Sequence, residues 1–64
     1  MVVYNLYLVL NNEPIKIYDR YTRIVAYKGS SNNIPNELMD RLVHNVTLEL
    51  DKEKRYKQLI IFID

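Results

Sequence analysis

Cysteine is absent from this 64-residue chain, and glycine occurs once, at Gly29. Without cysteine a chain this short must fold without disulfides, which removes the main argument for secretion, so we expect a cytoplasmic protein. A single glycine excludes a glycine-rich loop that would hold phosphate groups. Nine basic and eight acidic residues leave a formal net charge of +1, so bulk charge favours neither nucleic acid nor a membrane surface as the partner.

Side chains for catalysis and metal binding are also scarce. His44 is the only histidine; with Asp40 it could place two metal ligands on one helical face, but no third ligand is evident. A histidine at a helix end or on the surface is the simpler interpretation. Ser30 and Ser31 have no identifiable base, and the carboxylates form no acid–base pair. We therefore expect no enzymatic activity, no metal site and no cofactor.

The chain does contain one run of five apolar residues, at positions 59–63. Strand side chains alternate between two faces, so a run that is apolar at every position predicts a strand buried on both faces. The run is too short to span a membrane, and we expect no membrane association. The sequence thus predicts a central strand at 56–63, with a helix over 52–62 as the alternative.

Residues 2–10 predict a second long strand, because every even position in this segment is apolar and would form a continuous core side. Turn-forming residues follow at 11–14, and the alternation resumes at 15–18. Residues 2–18 therefore predict a hairpin. A four-residue turn would place Tyr7 directly opposite Tyr18.

The middle of the chain is more ambiguous. Residues 19–29 favour a helix that begins at Asp19 as the N-cap and ends at Gly29, although a strand remains open. A polar loop at 30–33 and a short helix at 35–44 follow, and residues 46–50 alternate as a strand. The sequence therefore predicts one α+β domain over 1–64: a small antiparallel four-stranded sheet of two hairpins, with one or two short helices on one face.

A domain of this size buries only about 60% of its unfolded surface, so it cannot cover both faces of its sheet. The uncovered face would carry Val3, Tyr7, Val9 and Tyr18 and half of the 59–63 run, including Phe62. This composition is typical of a protein contact surface. We expect a noncatalytic module that binds another protein or forms a homodimer. Frequent Asn, Ile, Tyr and Lys are typical of AT-rich genomes, so an inhibitor or adaptor encoded by a phage or other mobile element, which binds a host protein, is a plausible class.

Nucleic-acid binding is the alternative function. Arg55 and Tyr56 lie in a cluster of basic residues at 52–57, and a second basic and tyrosine-containing segment spans 20–28. This combination is typical of nucleic-acid sites. Asp19 directly precedes the 20–28 segment, and Asp51 and Glu53 accompany the 52–57 cluster. A solvated turn and a helix face would therefore explain the two segments equally well.

One short segment resembles part of a known family whose function would agree with nucleic-acid binding. Ile34-Pro35-Asn36-Glu37-Leu38, followed by Leu42, resembles the opening of the first helix in ribbon-helix-helix DNA-binding repressors. The resemblance covers nine residues. The preceding loop does not match the base-reading strand of that family, and the following segment predicts a strand rather than a second helix, so no DNA-reading residue is transferred.

Overall fold

The computed structural model of the chain describes residues 1–51, 53 and 56–64. Helix α1 comes first and is followed by four strands, with two 3₁₀ turns in the middle: α1 (Val3–Val9), β1 (Pro14–Asp19), β2 (Val25–Ser30), the turns Ser31–Asn33 and Asn36–Leu38, β3 (Val43–Asp51) and β4 (Tyr56–Ile63). The strands form one sheet in the order β2–β1–β4–β3. One helix on a four-stranded sheet makes the fold α+β, as the sequence predicts.

The sheet is mixed, so the predicted purely antiparallel arrangement is wrong. Strands β1 and β2 pair antiparallel, as do β3 and β4. In the middle, however, β1 and β4 run parallel, with Ile17 opposite Ile61. The β1–β2 hairpin and the β3–β4 hairpin lie side by side in the sheet. They meet through β1 and β4, which run in the same direction.

Residues 2–10 form α1 and not a strand, which corrects the predicted hairpin at 2–18 and the predicted Tyr7–Tyr18 pair. Eight of the nine residues are apolar, so the segment satisfies the helical spacing as well as the alternating one. Val3 is fully buried. The next residues at helical spacing pack against the core: Leu6, Tyr7 and Leu10.

The main core lies between α1 and one face of the sheet, which we call the covered face. Four isoleucines of the two central strands are fully buried there: Ile15, Ile17, Ile61 and Ile63. Val3 from α1 and Ile34 and Leu38 from the connection between the hairpins belong to the same cluster. All helical elements that reach this cluster therefore cover a single side of the sheet.

The preferred helix at 19–29 is wrong, because the segment forms a turn followed by β2. Asp19 begins as a helix N-cap would: its Oδ1 accepts hydrogen bonds from the N–H groups of Tyr21 at 2.9 Å and Thr22 at 3.1 Å. Arg23 then has φ +61°, which a helical residue does not adopt. The chain reverses there, and the strand alternative holds for the second half of the segment.

The predicted helix at 35–44 is also wrong beyond its first turn, Asn36–Leu38. Leu38 and Met39 reach the core, whereas Leu42 is exposed and pairs with Val2 in an isolated bridge. The helix that the repressor resemblance implies is therefore not formed. The predicted strands at 46–50 and 56–63 are confirmed by β3 and β4.

Candidate interaction surface

The face of the sheet opposite α1 is covered by no helix or 3₁₀ turn of the described chain, and we call it the open face. On β1 and β4, the residues that alternate with the buried isoleucines point to this face. On β2 and β3, the register partners of those residues point the same way. The residues of the open face include Lys16, Tyr18, Val25, Lys28, Asn45, Thr47, Glu49, Gln58, Ile60 and Phe62.

An aromatic pair forms the most distinctive part of the open face. Tyr18 and Phe62 lie opposite each other in the parallel β1–β4 register. Their ring centroids are 5.5 Å apart and the rings meet edge to face at 72°. Such a pair contributes about 0.5–1.5 kcal/mol beyond its buried area. Both side chains are half-buried, so the pair is held in one geometry while part of each ring remains accessible.

Beside the aromatic pair the open face is closely packed. Ile60 is only 4% exposed, yet it does not belong to the main core cluster on the covered face. It lies in the central strand β4, between Lys16 on β1 and Thr47 on β3. Gln58, the neighbouring open-face residue of β4, is also buried, at 3% exposure. The middle of β4 is therefore shielded from solvent on this face as well.

Two lysines concentrate positive charge on one side of this surface. Lys16 and Lys28 are direct cross-strand partners in the β1–β2 pair, and like charges in that position destabilise a sheet. Among the described residues neither lysine forms an ion pair with a carboxylate. Glu49 lies across the sheet on β3. The open face therefore has a basic side next to the aromatic pair.

The structure brings together only two of the side chains that the sequence assigns to the contact surface, Tyr18 and Phe62. The predicted place of Tyr7 and Val9 on the sheet face is wrong, because both belong to α1: Tyr7 packs against the core from the covered face and Val9 is exposed. Tyr56 is the first residue of β4. Arg55 lies outside the described residues.

A polar cluster joins the carboxyl ends of the parallel strands β1 and β4. Arg41 donates from Nη2 to Asp19 Oδ2 at 3.0 Å and from Nε to the main-chain oxygen of Asp64 at 2.8 Å. Arg20 Nη1 lies 3.0 Å from both Asp64 Oδ1 and His44 Nδ1. Sequence reasoning missed this cluster because its residues come from separate segments, and no spacing along the chain indicates that they meet.

Asp19 is held both by this cluster and by the turn that follows it. Hydrogen bonds hold the pKa of this carboxyl below its ordinary value; the N–H of Thr22 contributes most, followed by the side chain of Arg41. His44 is exposed and lies on β3, so the surface position predicted for it holds and the helix-end position does not. Arg20 can only donate, so in this arrangement it donates to His44 Nδ1.

No family model, no curated protein and no solved structure matches the chain. In the described ranges, no three histidine or carboxylate side chains come together as a metal-binding group. No helix formed by these residues is long and apolar enough to cross a lipid bilayer. The open face is thus the surface on which a functional proposal can be built.

Proposed function

We propose that the protein is a noncatalytic interaction module of the cytoplasm that binds another protein through the open face. One observation supports this most strongly: Tyr18, Phe62 and Ile60 lie on a sheet face that α1 does not cover. Aromatic side chains provide a large contact area at low entropic cost, and they are enriched at the energetic centres of protein interfaces. A pair that is already packed loses little further freedom when it binds.

The two opposed lysines indicate the chemistry of the partner. Carboxylates that approached Lys16 and Lys28 would relieve their mutual repulsion and would direct the partner to the basic side of the face. We infer a partner that places an apolar or aromatic group against the Tyr18–Phe62 pair and acidic groups beside these lysines. That the partner is a host protein bound by a phage- or mobile-element-encoded inhibitor or adaptor remains a prediction from composition.

Affinity capture from cell extract tests this proposal when it compares matched variants. Tyr18→Ser should weaken retention of the bound protein by about 1–2 kcal/mol, which is roughly 5–30-fold. Tyr4→Ser is the control, because Tyr4 is an exposed tyrosine on α1. Thermal unfolding of both variants separates lost binding from lost structure. If the two variants bind equally well, or if Tyr4→Ser has the larger effect, the open face is not the binding surface.

Single-stranded nucleic acid is the second candidate, because the opposed lysines and the aromatic pair lie on the same sheet face. Bases can stack on aromatic side chains of an open sheet while lysines contact the phosphates. Two such lysine contacts predict a slope of about −1.4 in a plot of log affinity against log salt concentration. This candidate extends the nucleic-acid alternative that the basic clusters indicate.

Fluorescence anisotropy with labelled single-stranded DNA and RNA oligonucleotides separates the two candidates. Binding that weakens with salt and is lost in Lys28→Glu, but is retained in Lys57→Glu, would favour nucleic acid. Both lysines are exposed, and Lys57 alternates onto the covered face, so the pair is a matched comparison. An absence of binding to either oligonucleotide would favour the protein partner.

A further inference from the structure

Strand β3 is an edge strand whose outer side is open over residues 44–50. Its inner side pairs with β4. The first residues of the chain cover only its beginning: Val2 bridges Leu42, and the N–H of Val43 donates to Met1 O at 2.9 Å. No other described strand pairs with this edge. No described strand therefore occupies the outward N–H and C=O groups of this edge, where another strand can pair.

The opposite edge, β2, has features that discourage strand addition. Its pairing with β1 is interrupted by a bulge, it contains Gly29 at φ +156°, and it carries the exposed Lys28. In β3 the only irregularity lies between Val43 and Asn45. Residues 46–50 continue regularly with a single charged side chain, Glu49. The edge that can accept a strand is therefore β3.

Exposed leucines accompany this open edge. Leu48 and Leu50 lie on the covered-face side of β3, where α1 does not shield them, and Leu48 is 64% exposed. A groove of about 250 Å³ lies next to Leu48 and is otherwise lined by Leu10, Glu13, Pro14, Lys57 and Leu59. A strand added to the edge would bring its own apolar side chains against these leucines.

We propose that a second copy of this chain pairs antiparallel with β3 about a two-fold axis at Thr47. The open edge 44–50 is centred on Thr47, so this register uses the whole edge and stops before the segment that covers Val43. Val46 of each copy then faces Leu48 of the other, on the same side of an extended eight-stranded sheet. This inference uses a different surface from the open face and does not depend on the proposed function.

Hydrogen-bond complementarity favours a second copy in this register. Asn45 of one copy faces Glu49 of the other. The Oδ1 of Asn45 already accepts a hydrogen bond from the N–H of Val46 at 2.9 Å, which leaves its amide nitrogen to donate to the facing carboxylate. The two Glu49 residues lie four strand residues apart, about 13 Å. An axis at Glu49 would instead oppose two carboxylates, which is unfavourable.

The proposed interface is small. Seven paired residues per copy bury less than the roughly 800 Å² per partner of a standard interface. We therefore expect a weak dimer whose population rises with protein concentration, rather than an obligate one.

Disulfide trapping tests the proposed axis, because the natural chain contains no cysteine. In Thr47→Cys the two thiols face each other with Cβ atoms about 4.5–5.5 Å apart, so a small shift permits a disulfide. Glu49→Cys is the matched control on the same strand and face, with its two thiols about 13 Å apart. Under mild oxidation, Thr47→Cys should form covalent dimers at least about tenfold faster than the control.

The same experiment also checks the register. A mixture of Asn45→Cys and Glu49→Cys chains should form a covalent heterodimer about as fast as Thr47→Cys, since these positions face each other. Equal rates for Thr47→Cys and Glu49→Cys alone would indicate random collision and would overturn the proposal.

Sedimentation provides a second readout that needs no cysteine. The mean mass of the wild type should rise between about 0.01 and 1 mM, whereas Leu48→Lys should stay monomeric. Leu8→Lys is the control, because Leu8 is 61% exposed on α1, and it should associate like the wild type. A wild type that stays monomeric overturns the proposal. Association that survives Leu48→Lys but is lost in Tyr18→Ser also overturns the proposal, because it would place the second copy on the open face.

Discussion

Single side chains hold together the end of the sheet where β1 and β4 finish. Because these strands are parallel, their carboxyl ends adjoin and the residues that follow them meet. Arg41 bridges Asp19 to the main-chain oxygen of Asp64 with two hydrogen bonds at 3.0 and 2.8 Å and a further contact from Nη2 to the same oxygen. The main-chain N–H of Arg20 also donates to Ile63 O at 3.0 Å. This network fixes the turn after β1 against the end of β4.

The lowered pKa of Asp19 predicts an acid-dependent part of the stability. Well above the ordinary carboxyl pKa, Asp19 is ionised in both the folded and the unfolded chain, and its full contribution to the free energy of unfolding is present. As the pH falls below that value the unfolded chain takes up the proton first, and the contribution is lost once the pH falls below the pKa of the folded state.

Asp19→Asn isolates this effect, because its amide oxygen can still accept the N–H groups of Tyr21 and Thr22. The variant should lose less stability than the wild type between pH 5 and pH 2, a range of about three units that spans the carboxyl titration. Urea unfolding at each pH measures the difference. Parallel pH profiles for the two proteins would show that Asp19 contributes no acid dependence.

Burial at single positions gives a second prediction. Ile61→Val should lower the free energy of unfolding by about 0.5–1.5 kcal/mol, because Ile61 is fully buried between α1 and the sheet. Ile24→Val removes the same methylene from an exposed turn residue and should change the stability by less than about 0.5 kcal/mol. Denaturant unfolding compares the two variants. A larger loss of stability for Ile24→Val than for Ile61→Val would contradict this location of the core.

At the scale of elements, β3 and β4 could be predicted from the sequence because each has a local signal. Residues 46–50 alternate, and a five-residue apolar run at 59–63 suits a strand buried on both faces. The segment 2–10 could not be assigned in this way, since a nearly continuous apolar run fits both periods. The segment is a helix because the two β hairpins already complete the four-stranded sheet, and the apolar side of that sheet has to be covered. α1 provides this cover.

The parallel β1–β4 pair could not be predicted for a different reason. Strand pairing between distant segments leaves no local pattern, so the sequence does not show that β1 lies beside β4. The same limit applies to the contact surface. Tyr18 and Phe62 were predictable from alternation alone, but the Lys16–Lys28 pair depends on the β1–β2 register.

Amide hydrogen exchange tests this arrangement of elements. The slowest exchange should occur in β1 and β4, because these two of the described strands have a neighbour on each side. Amides of β3 that point outward should exchange faster in dilute protein and slow down as the concentration rises. Strand-like chemical shifts at 3–9, with the slowest amides there, would contradict the structure.

At the scale of the whole molecule, the sheet offers two separate surfaces. The open face presents an aromatic pair and two opposed lysines to a partner, while the β3 edge presents main-chain groups and leucines to a second copy. A dimer through β3 would place two open faces on the same side of one continuous sheet. Two linked copies of a weak site bind a partner that has two matching sites more tightly than one copy does.

The most direct test of the functional account is the footprint of the captured partner on the isotope-labelled protein. Titration of the labelled protein with that partner should shift the NMR signals of Lys16, Tyr18 and Phe62 most, because these residues form the basic and aromatic part of the open face. Shifts concentrated in α1 at Tyr4 and Leu8, or confined to the β3 edge at 44–50, would contradict the claim that the open face is the binding surface.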